Sequence, residues 1–181
     1  MTGRRVAVTG LGLISPFGGD LVDFFARLLA AESAIGFLRT DDVPRPLAMP
    51  FVGCSGFSAE AMLGRALAGT MDRFAQLGVA AAFGAWADAG FSRADTAQDR
   101  EGWGVAWGTA LGGTLAYENG YRDFWQQGRE RLSPLALIRG MNNAANAHIS
   151  IQLGLGGVSM SHTVACASSA RGKALKRAFG N

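Results

Sequence analysis

The sequence predicts an α/β fold in which helices cover both faces of a mostly parallel sheet. Predicted strands and helices alternate along the chain, and the first two strands are short apolar runs that end in glycine-rich turns. Hydrophobic residues make up 49% of the 181 residues and charged residues 17%, while 26 glycines favour close backbone contacts. A chain of this length and composition can bury one sizeable core.

The first half of the chain begins with a predicted strand over residues 5–9, which ends at a Gly-Leu-Gly turn. Apolar residues at helical spacing then predict a helix over residues 21–29. Residues 36–58 hold prolines among scattered Gly and Ser, so we expect them to be irregular. Ser58 is expected to cap a helix over residues 59–68. The Ala-rich residues 71–89 predict a long helix, and its apolar character on all sides implies burial on several sides.

The second half of the chain continues the alternation with a predicted strand over residues 102–107 and a Gly-rich loop over residues 108–113. A helix is predicted over residues 115–127. Residues 134–155 are expected to be mostly helical, with three asparagines among small residues. The last predicted strand, residues 158–164, follows two glycines and leads into a helix that begins at a cysteine.

That cysteine, Cys166, carries the most specific chemical signal. It lies in the sequence Val-Ala-Cys-Ala-Ser-Ser-Ala (residues 164–170), where a strand passes through a tight turn into a helix. The partial positive charge at a helix N-terminus favours the thiolate, which is the nucleophilic form. Cys54 lies in the irregular region without a nearby basic residue and has no comparable case.

Two histidines could be taken for a partner of Cys166. His162 precedes it by four residues and would share its face in a strand, but about 13 Å away, which is too far for direct proton transfer. His148 lies in a helical pattern between Ala147 and Ile149. A structural role is favoured for both histidines.

Composition excludes several classes of protein. The net charge of +3 comes from four basic residues near the end of the chain (Arg171, Lys173, Lys176 and Arg177), so no distributed basic face for nucleic acid is expected. The tail could form a solvated helix face or meet an acidic partner. No apolar run reaches the roughly 18 residues that span a bilayer. Two distant cysteines indicate neither a zinc site nor a disulfide framework, and a cytoplasmic location is expected. The Gly-x-Gly at residues 10–12 is weak evidence for a dinucleotide, because Ser15 replaces the third glycine.

Four segments together resemble the β-ketoacyl-acyl-carrier-protein synthases, condensing enzymes of the thiolase-like superfamily. They are residues 4–16, the Met-Asp-Arg-Phe at residues 71–74, the loop 108–113 and the cysteine turn at residues 164–169. The resemblance implies the five-layered αβαβα architecture of that superfamily, of which this chain supplies the first half only, and incompletely. Residues 1–181 would form one N-terminal thiolase-like domain, truncated after the nucleophile helix.

The resemblance also implies a reaction and its residues. Cys166 would accept an acyl group from a carrier thioester, and a malonyl thioester would then lose carbon dioxide and attack that acyl group. The backbone N–H of Cys166 would supply one oxyanion donor. Leu111 would gate the acyl pocket, and Gly112 and Gly113 would bind substrate beside it. The implied partners are acyl-carrier-protein thioesters and a second ketosynthase subunit, in a homodimer or heterodimer, and no cofactor or metal is expected.

The chain also departs from the pattern of these synthases. Relatives are roughly twice as long and place two histidines and a lysine for decarboxylation in their second half, so we expect the isolated chain to be unable to condense. Ser169 stands where many relatives have glycine, and the segment beyond Ala170 is more basic than a buried helix would be. Two alternatives stay open: a non-catalytic partner of a full-length ketosynthase, and another thiolase-like acyltransferase that needs only a nucleophile.

Overall fold

A computed structural model of the protein describes residues 6–38, 45, 47–95 and 99–171. Their helices are α1 (Leu21–Leu29), α2 (Ala59–Leu63), α3 (Arg65–Ala68), α4 (Arg73–Asp88), α5 (Thr114–Gln127), α6 (Leu135–Gly140) and α7 (Ala144–Leu153). The strands are β1 (Gly36–Phe37), β2 (Phe51–Val52), β3 (Val105–Gly108) and β4 (Ser159–His162). None of the helices in these ranges is both long enough and apolar enough to cross a membrane.

Strands β3 and β4 form a parallel pair, as the alternation of strands and helices predicts. Their register runs from Val105 opposite Ser159 to Gly108 opposite His162. Parallel strands need a long crossover connection, which here contains α5, α6 and α7. The region expected to be irregular contains a short antiparallel pair, β1 with β2.

The core lies where α4 packs against α7 and β3. Its buried members are Met71, Ala75, Val79, Ala145, Ile149 and Leu153. Ala75 and Val79 in α4 are four apart, as are Ala145, Ile149 and Leu153 in α7, so each set lies on one face of its helix. From β3, Val105 and Trp107 pack against the cluster. Ala106 lies between them, points to the opposite face of the strand and is exposed.

Helix α4 is in contact on several sides, as its apolar composition predicts. On one side Gly12 lies so close that a Cβ there would be 2.1 Å from the Ala81 carbonyl oxygen. On another side Gly78 makes room for the Trp107 ring, whose nearest carbon would be 2.3 Å from an added Cβ. The first of these contacts accounts for a glycine of the Gly-x-Gly turn by helix packing, without a nucleotide.

The predicted strand over residues 5–9 is wrong where the structure describes it. Residues 6–9 belong to no strand, and Val6 and Val8 are 56% and 70% exposed. Leu11 just beyond them donates its N–H to the Asp88 carboxylate at 2.8 Å. This segment is therefore tied to the end of α4, and within the described residues no neighbouring strand pairs with it.

Two predicted helices are each divided in two. Ser58 caps the first by accepting the Ala61 N–H, but that helix is interrupted at Gly64, whose φ of +81° is incompatible with a continuing α-helix. The second, over residues 134–155, is interrupted at Met141, whose backbone is extended. Most of the basic tail and the first five residues lie outside the described residues.

Candidate active site

Cys166 lies on a sharp turn between a strand and a helix. β4 ends at His162, a 3₁₀ turn covers Ala165–Ala167, and residues 168–171 are helical. Ala165 directly before the cysteine has a φ of +51°, a left-handed conformation that is uncommon and costly for a residue other than glycine. The Cys166 side chain is exposed. The turn thus presents a thiol to solvent at the start of a helical segment, as the sequence predicts.

The buried Ser168 side chain forms hydrogen bonds to the backbone of this turn. Ser168 is 3% exposed, and its hydroxyl oxygen accepts the Val164 N–H at 2.9 Å. Its own proton has two carbonyl acceptors in reach, Ala165 at 2.7 Å and Thr109 at 3.1 Å. The hydroxyl therefore binds backbone groups on both sides of the left-handed Ala165 and also reaches the loop that follows β3.

The loop after β3 lies directly against the cysteine turn. A Cβ on Gly108 would be 2.5 Å from the Ser168 carbonyl carbon and 2.5 Å from the Ser169 nitrogen. Beyond it, Thr109 donates its N–H to the His162 carbonyl at 3.1 Å, which extends the β3–β4 pairing by one bond. Glycine at residue 108 is thus required by the close approach of two backbone segments.

The glycines at residues 112 and 113 pack against the connection between α6 and α7. Gly112 has a φ of +71°, and a Cβ on it would be 2.3 Å from the Asn142 Oδ1. Gly113 donates its N–H to the Gly140 carbonyl at 3.1 Å. Asn142 in turn donates from Nδ2 to the Thr163 hydroxyl at 3.0 Å. Asn142 therefore connects the Gly-rich loop to the segment that leads into the cysteine turn.

An open cavity of about 490 Å³ lies beside this connection. Its lining consists of Leu111, Tyr117, Gly140, Met141, Asn142, Asn143, Ser161 and Thr163. The structure places Leu111 at this cavity with a 73% exposed side chain. Among the described residues, Cys166, Gly112 and Gly113 lie outside the lining, although Thr163 is only three residues from the cysteine. Of the predicted site residues, Leu111 alone lines the cavity.

The two histidines have different surroundings. Burial lowers the pKa of His148 from its ordinary value of 6.5, and a hydrogen bond with the Thr70 backbone partly opposes that shift. His162 is half-buried, and its Nε2 has no hydrogen-bond partner in the described part of the chain. Within that same part, no three His, Cys, Asp or Glu side chains lie close enough together to hold a metal ion.

Sequence reasoning missed the roles of three side chains at this site. Ser168 and Asn142 form hydrogen bonds whose partners are up to 59 residues away in the chain. Asp72, seen only as part of the Met-Asp-Arg-Phe segment, accepts N–H groups at the starts of two helices. The available signals were a small hydroxyl residue two positions after the cysteine and an aspartate before an apolar helix.

Comparison with known proteins assigns this chain to a family. Residues 3–179 match the model of the N-terminal domain of beta-ketoacyl synthases. The chain belongs to the beta-ketoacyl synthase family. It is 32% identical over 167 residues to 3-oxoacyl-[acyl-carrier-protein] synthase 2 of Vibrio cholerae, covering 92% of this chain and 40% of that protein. It is 31% identical over 169 residues to the chloroplastic 3-oxoacyl-[acyl-carrier-protein] synthase I of Arabidopsis thaliana, covering 92% of this chain and 35% of the relative.

Solved beta-ketoacyl synthase structures share the fold. A beta-ketoacyl synthase from Burkholderia phymatum superposes with a TM-score of 0.80 at 23% identity, over 98% of this chain and 44% of that one. A type II polyketide ketosynthase in complex with its acyl-carrier protein gives a TM-score of 0.77 at 18% identity, over 98% and 47%. The layered α/β fold of the first half of a ketosynthase, inferred from the four sequence segments, is thus confirmed. The chain spans about two-fifths of the length of these curated relatives.

Proposed function

We propose that this chain carries the acyl-accepting site of a 3-oxoacyl-acyl-carrier-protein synthase, with Cys166 as the nucleophile. The supporting observation is the exposed Cys166 after the left-handed Ala165, at the start of a helical segment in a chain that matches the family over residues 3–179. The Cys166 sulfur attacks the carbonyl carbon of an acyl thioester. A tetrahedral oxyanion forms and collapses, and the carrier thiolate leaves while the acyl group stays on the cysteine. The backbone N–H of Cys166 is one proposed donor to that oxyanion.

The second half-reaction belongs, in this proposal, to the whole synthase. A malonyl thioester loses carbon dioxide, and the electron pair of the broken bond forms a new carbon–carbon bond with the acyl carbonyl. The bond between the acyl carbon and the Cys166 sulfur then breaks. This regenerates the Cys166 thiolate and leaves the 3-oxoacyl product on the carrier. The proposed partners are an acyl-carrier protein and a second ketosynthase subunit. They are supported by two similar structures, a ketosynthase with its acyl-carrier protein and a ketosynthase with a chain length factor.

Leu111 is proposed to limit the length of the acyl chain, because its side chain forms part of the wall of the open cavity. Its exposed side chain stands in the lining together with Tyr117 and Met141, which supply further apolar surface. Gly112 and Gly113 contribute by shaping the loop that carries Leu111, since their closest neighbours are Asn142, Gly140 and other groups of the α6–α7 connection.

The experiment is acylation of the purified chain by a short acyl-N-acetylcysteamine thioester, followed by intact-protein and peptide mass spectrometry. One acyl group is expected on Cys166, and Cys166→Ala is expected to abolish it. Cys54→Ala is the matched control and should leave acylation unchanged, because both cysteines are exposed but only Cys166 lies on the turn. Equal labelling of both cysteines, or an undiminished adduct in Cys166→Ala, refutes the proposal. A non-catalytic partner subunit, the competing function, predicts no adduct on Cys166.

A further inference from the structure

The cysteine turn contains a strained residue and a buried hydroxyl that contacts the backbone on both sides of it. The strained residue is Ala165, with a φ of +51°, and the hydroxyl belongs to Ser168, which is 3% exposed. We propose that Ser168 is a positioning residue for Cys166, which it orients by holding Ala165 in its left-handed conformation. The part of this inference that concerns acyl transfer rests on the proposed function.

The hydrogen bonds define how the hydroxyl would act. Its oxygen accepts the Val164 N–H at 2.9 Å, and its proton is donated to the Ala165 carbonyl at 2.7 Å. These two groups bracket the left-handed residue, so one hydroxyl opposes the return of Ala165 to an ordinary conformation. A turn released from this contact would change the direction in which the Cys166 side chain leaves the backbone.

A second contact ties the same hydroxyl to the rest of the site. The Thr109 carbonyl lies 3.1 Å from the Ser168 oxygen and is the alternative acceptor for its single proton. Gly108 next to it leaves no space for a side chain between the loop and the turn. Ser168 therefore fixes the cysteine turn relative to the loop that carries Leu111, which is the geometry that acyl transfer requires.

Neighbouring serines provide a matched pair of variants. Ser168→Ala removes the buried hydroxyl, whereas Ser169→Ala removes the hydroxyl of an exposed neighbour. Ser168→Thr keeps the hydroxyl and is the conservative rescue. Ala165→Gly combined with Ser168→Ala keeps the turn foldable, because glycine adopts a positive φ without strain.

Two rates are measured at Cys166 in the full chain: acylation by acyl-N-acetylcysteamine and alkylation by iodoacetamide. Acylation needs an aligned carbonyl and oxyanion donor, whereas alkylation needs only an accessible thiolate. Ser168→Ala is expected to lower the rate of Cys166 acylation at least about tenfold and the rate of its alkylation less than about threefold. Cys54 alkylation is the internal control and should not change. The acylation rates of Ser168→Thr and Ser169→Ala are expected to stay within about threefold of wild type. Adding Ala165→Gly to Ser168→Ala should partly restore the acylation rate.

Hydrogen exchange tests the contact without any reaction. Ser168→Ala, alone or with Ala165→Gly, should accelerate exchange of the Val164 amide at least about tenfold, while Ser169→Ala should not. Continued protection of that amide in Ser168→Ala overturns the inference. So does a Cys166 acylation rate in Ser168→Ala that equals the rate in Ser169→Ala. If wild-type Cys166 is not acylated, the proposed function fails, and hydrogen exchange alone then decides whether Ser168 holds the turn.

Discussion

One carboxylate, that of Asp72, caps two helices. Its Oδ1 accepts the Phe74 N–H at 3.3 Å in the first turn of α4. Its Oδ2 accepts the Ala116 N–H at 2.5 Å in the first turn of α5, which has no side-chain cap from its own N-cap residue. Asp72 is 6% exposed, so water cannot replace it easily. Its removal should therefore destabilise two elements at once.

The expected cost follows from these two bonds. Loss of one N-cap costs about 1 kcal/mol, and an N–H left unsatisfied away from water adds to that. Asp72→Ala should lower the free energy of unfolding by about 2–3 kcal/mol. For a chain of this size, that corresponds to a fall of roughly 4–12 °C in the melting temperature. Asp72→Asn keeps one oxygen acceptor, so it should cost about half as much.

Urea unfolding followed by circular dichroism measures these differences. The matched control is Asp20→Ala, since Asp20 is exposed and caps α1 alone, by accepting the Asp23 N–H at 2.8 Å. It should cost about 1 kcal/mol. If Asp72→Ala costs no more than Asp20→Ala, or if Asp72→Asn costs as much as Asp72→Ala, the double cap does not contribute in the way that the structure indicates.

Two further predictions concern backbone packing and pH. Gly108→Ala would place a Cβ 2.5 Å from backbone atoms of the cysteine turn, so it should lower the free energy of unfolding by about 2 kcal/mol and slow Cys166 acylation. Gly120→Ala in α5 is its control, because nothing lies within 4 Å of the added Cβ, and it should be neutral or stabilising in urea unfolding. Burial lowers the pKa of His148, so the folded protein binds its proton less readily than the unfolded chain, and the free energy of unfolding should decrease as the pH falls below about 6.5. His148→Asn should remove that part of the decrease, and an unchanged pH slope would contradict the assignment.

The elements that could be predicted from the sequence are those whose signals are local. Helix α1 begins after Asp20 and covers the predicted residues 21–29, because its cap and its apolar spacing both lie within the segment. The parallel β3–β4 pair and the cysteine turn were also predicted, since β3 is a short apolar run that ends at Gly108, and β4 follows two glycines and leads into small residues around the cysteine. The pairing of β3 with β4 is itself a distant contact, and it was predicted only through the alternation of strands and helices along the chain.

What could not be predicted depends on distant contacts. The strand expected over residues 5–9 had an ordinary apolar pattern, but a strand forms only beside a hydrogen-bonded neighbour. The helix break at Met141 is signalled in the sequence only by the preceding Gly140, which is weak evidence on its own. The α6–α7 connection meets Gly112 and Gly113 there, and these glycines come from a loop about 30 residues earlier in the chain. The buried position of Ser168 likewise depends on the loop after β3.

Three of the four sequence segments that indicated the family are connected to one another in the structure. Asp72 caps the helix that begins directly after the Gly-rich loop, and Gly112 in that loop lies against Asn142. Asn142 donates to Thr163, which leads into the turn that carries Cys166. A change at Asp72 should therefore reach the nucleophile through α5 and this loop. Slower Cys166 acylation in Asp72→Asn, under conditions in which that variant remains fully folded, would demonstrate such coupling, and unchanged acylation would show that Asp72 stabilises the helices alone.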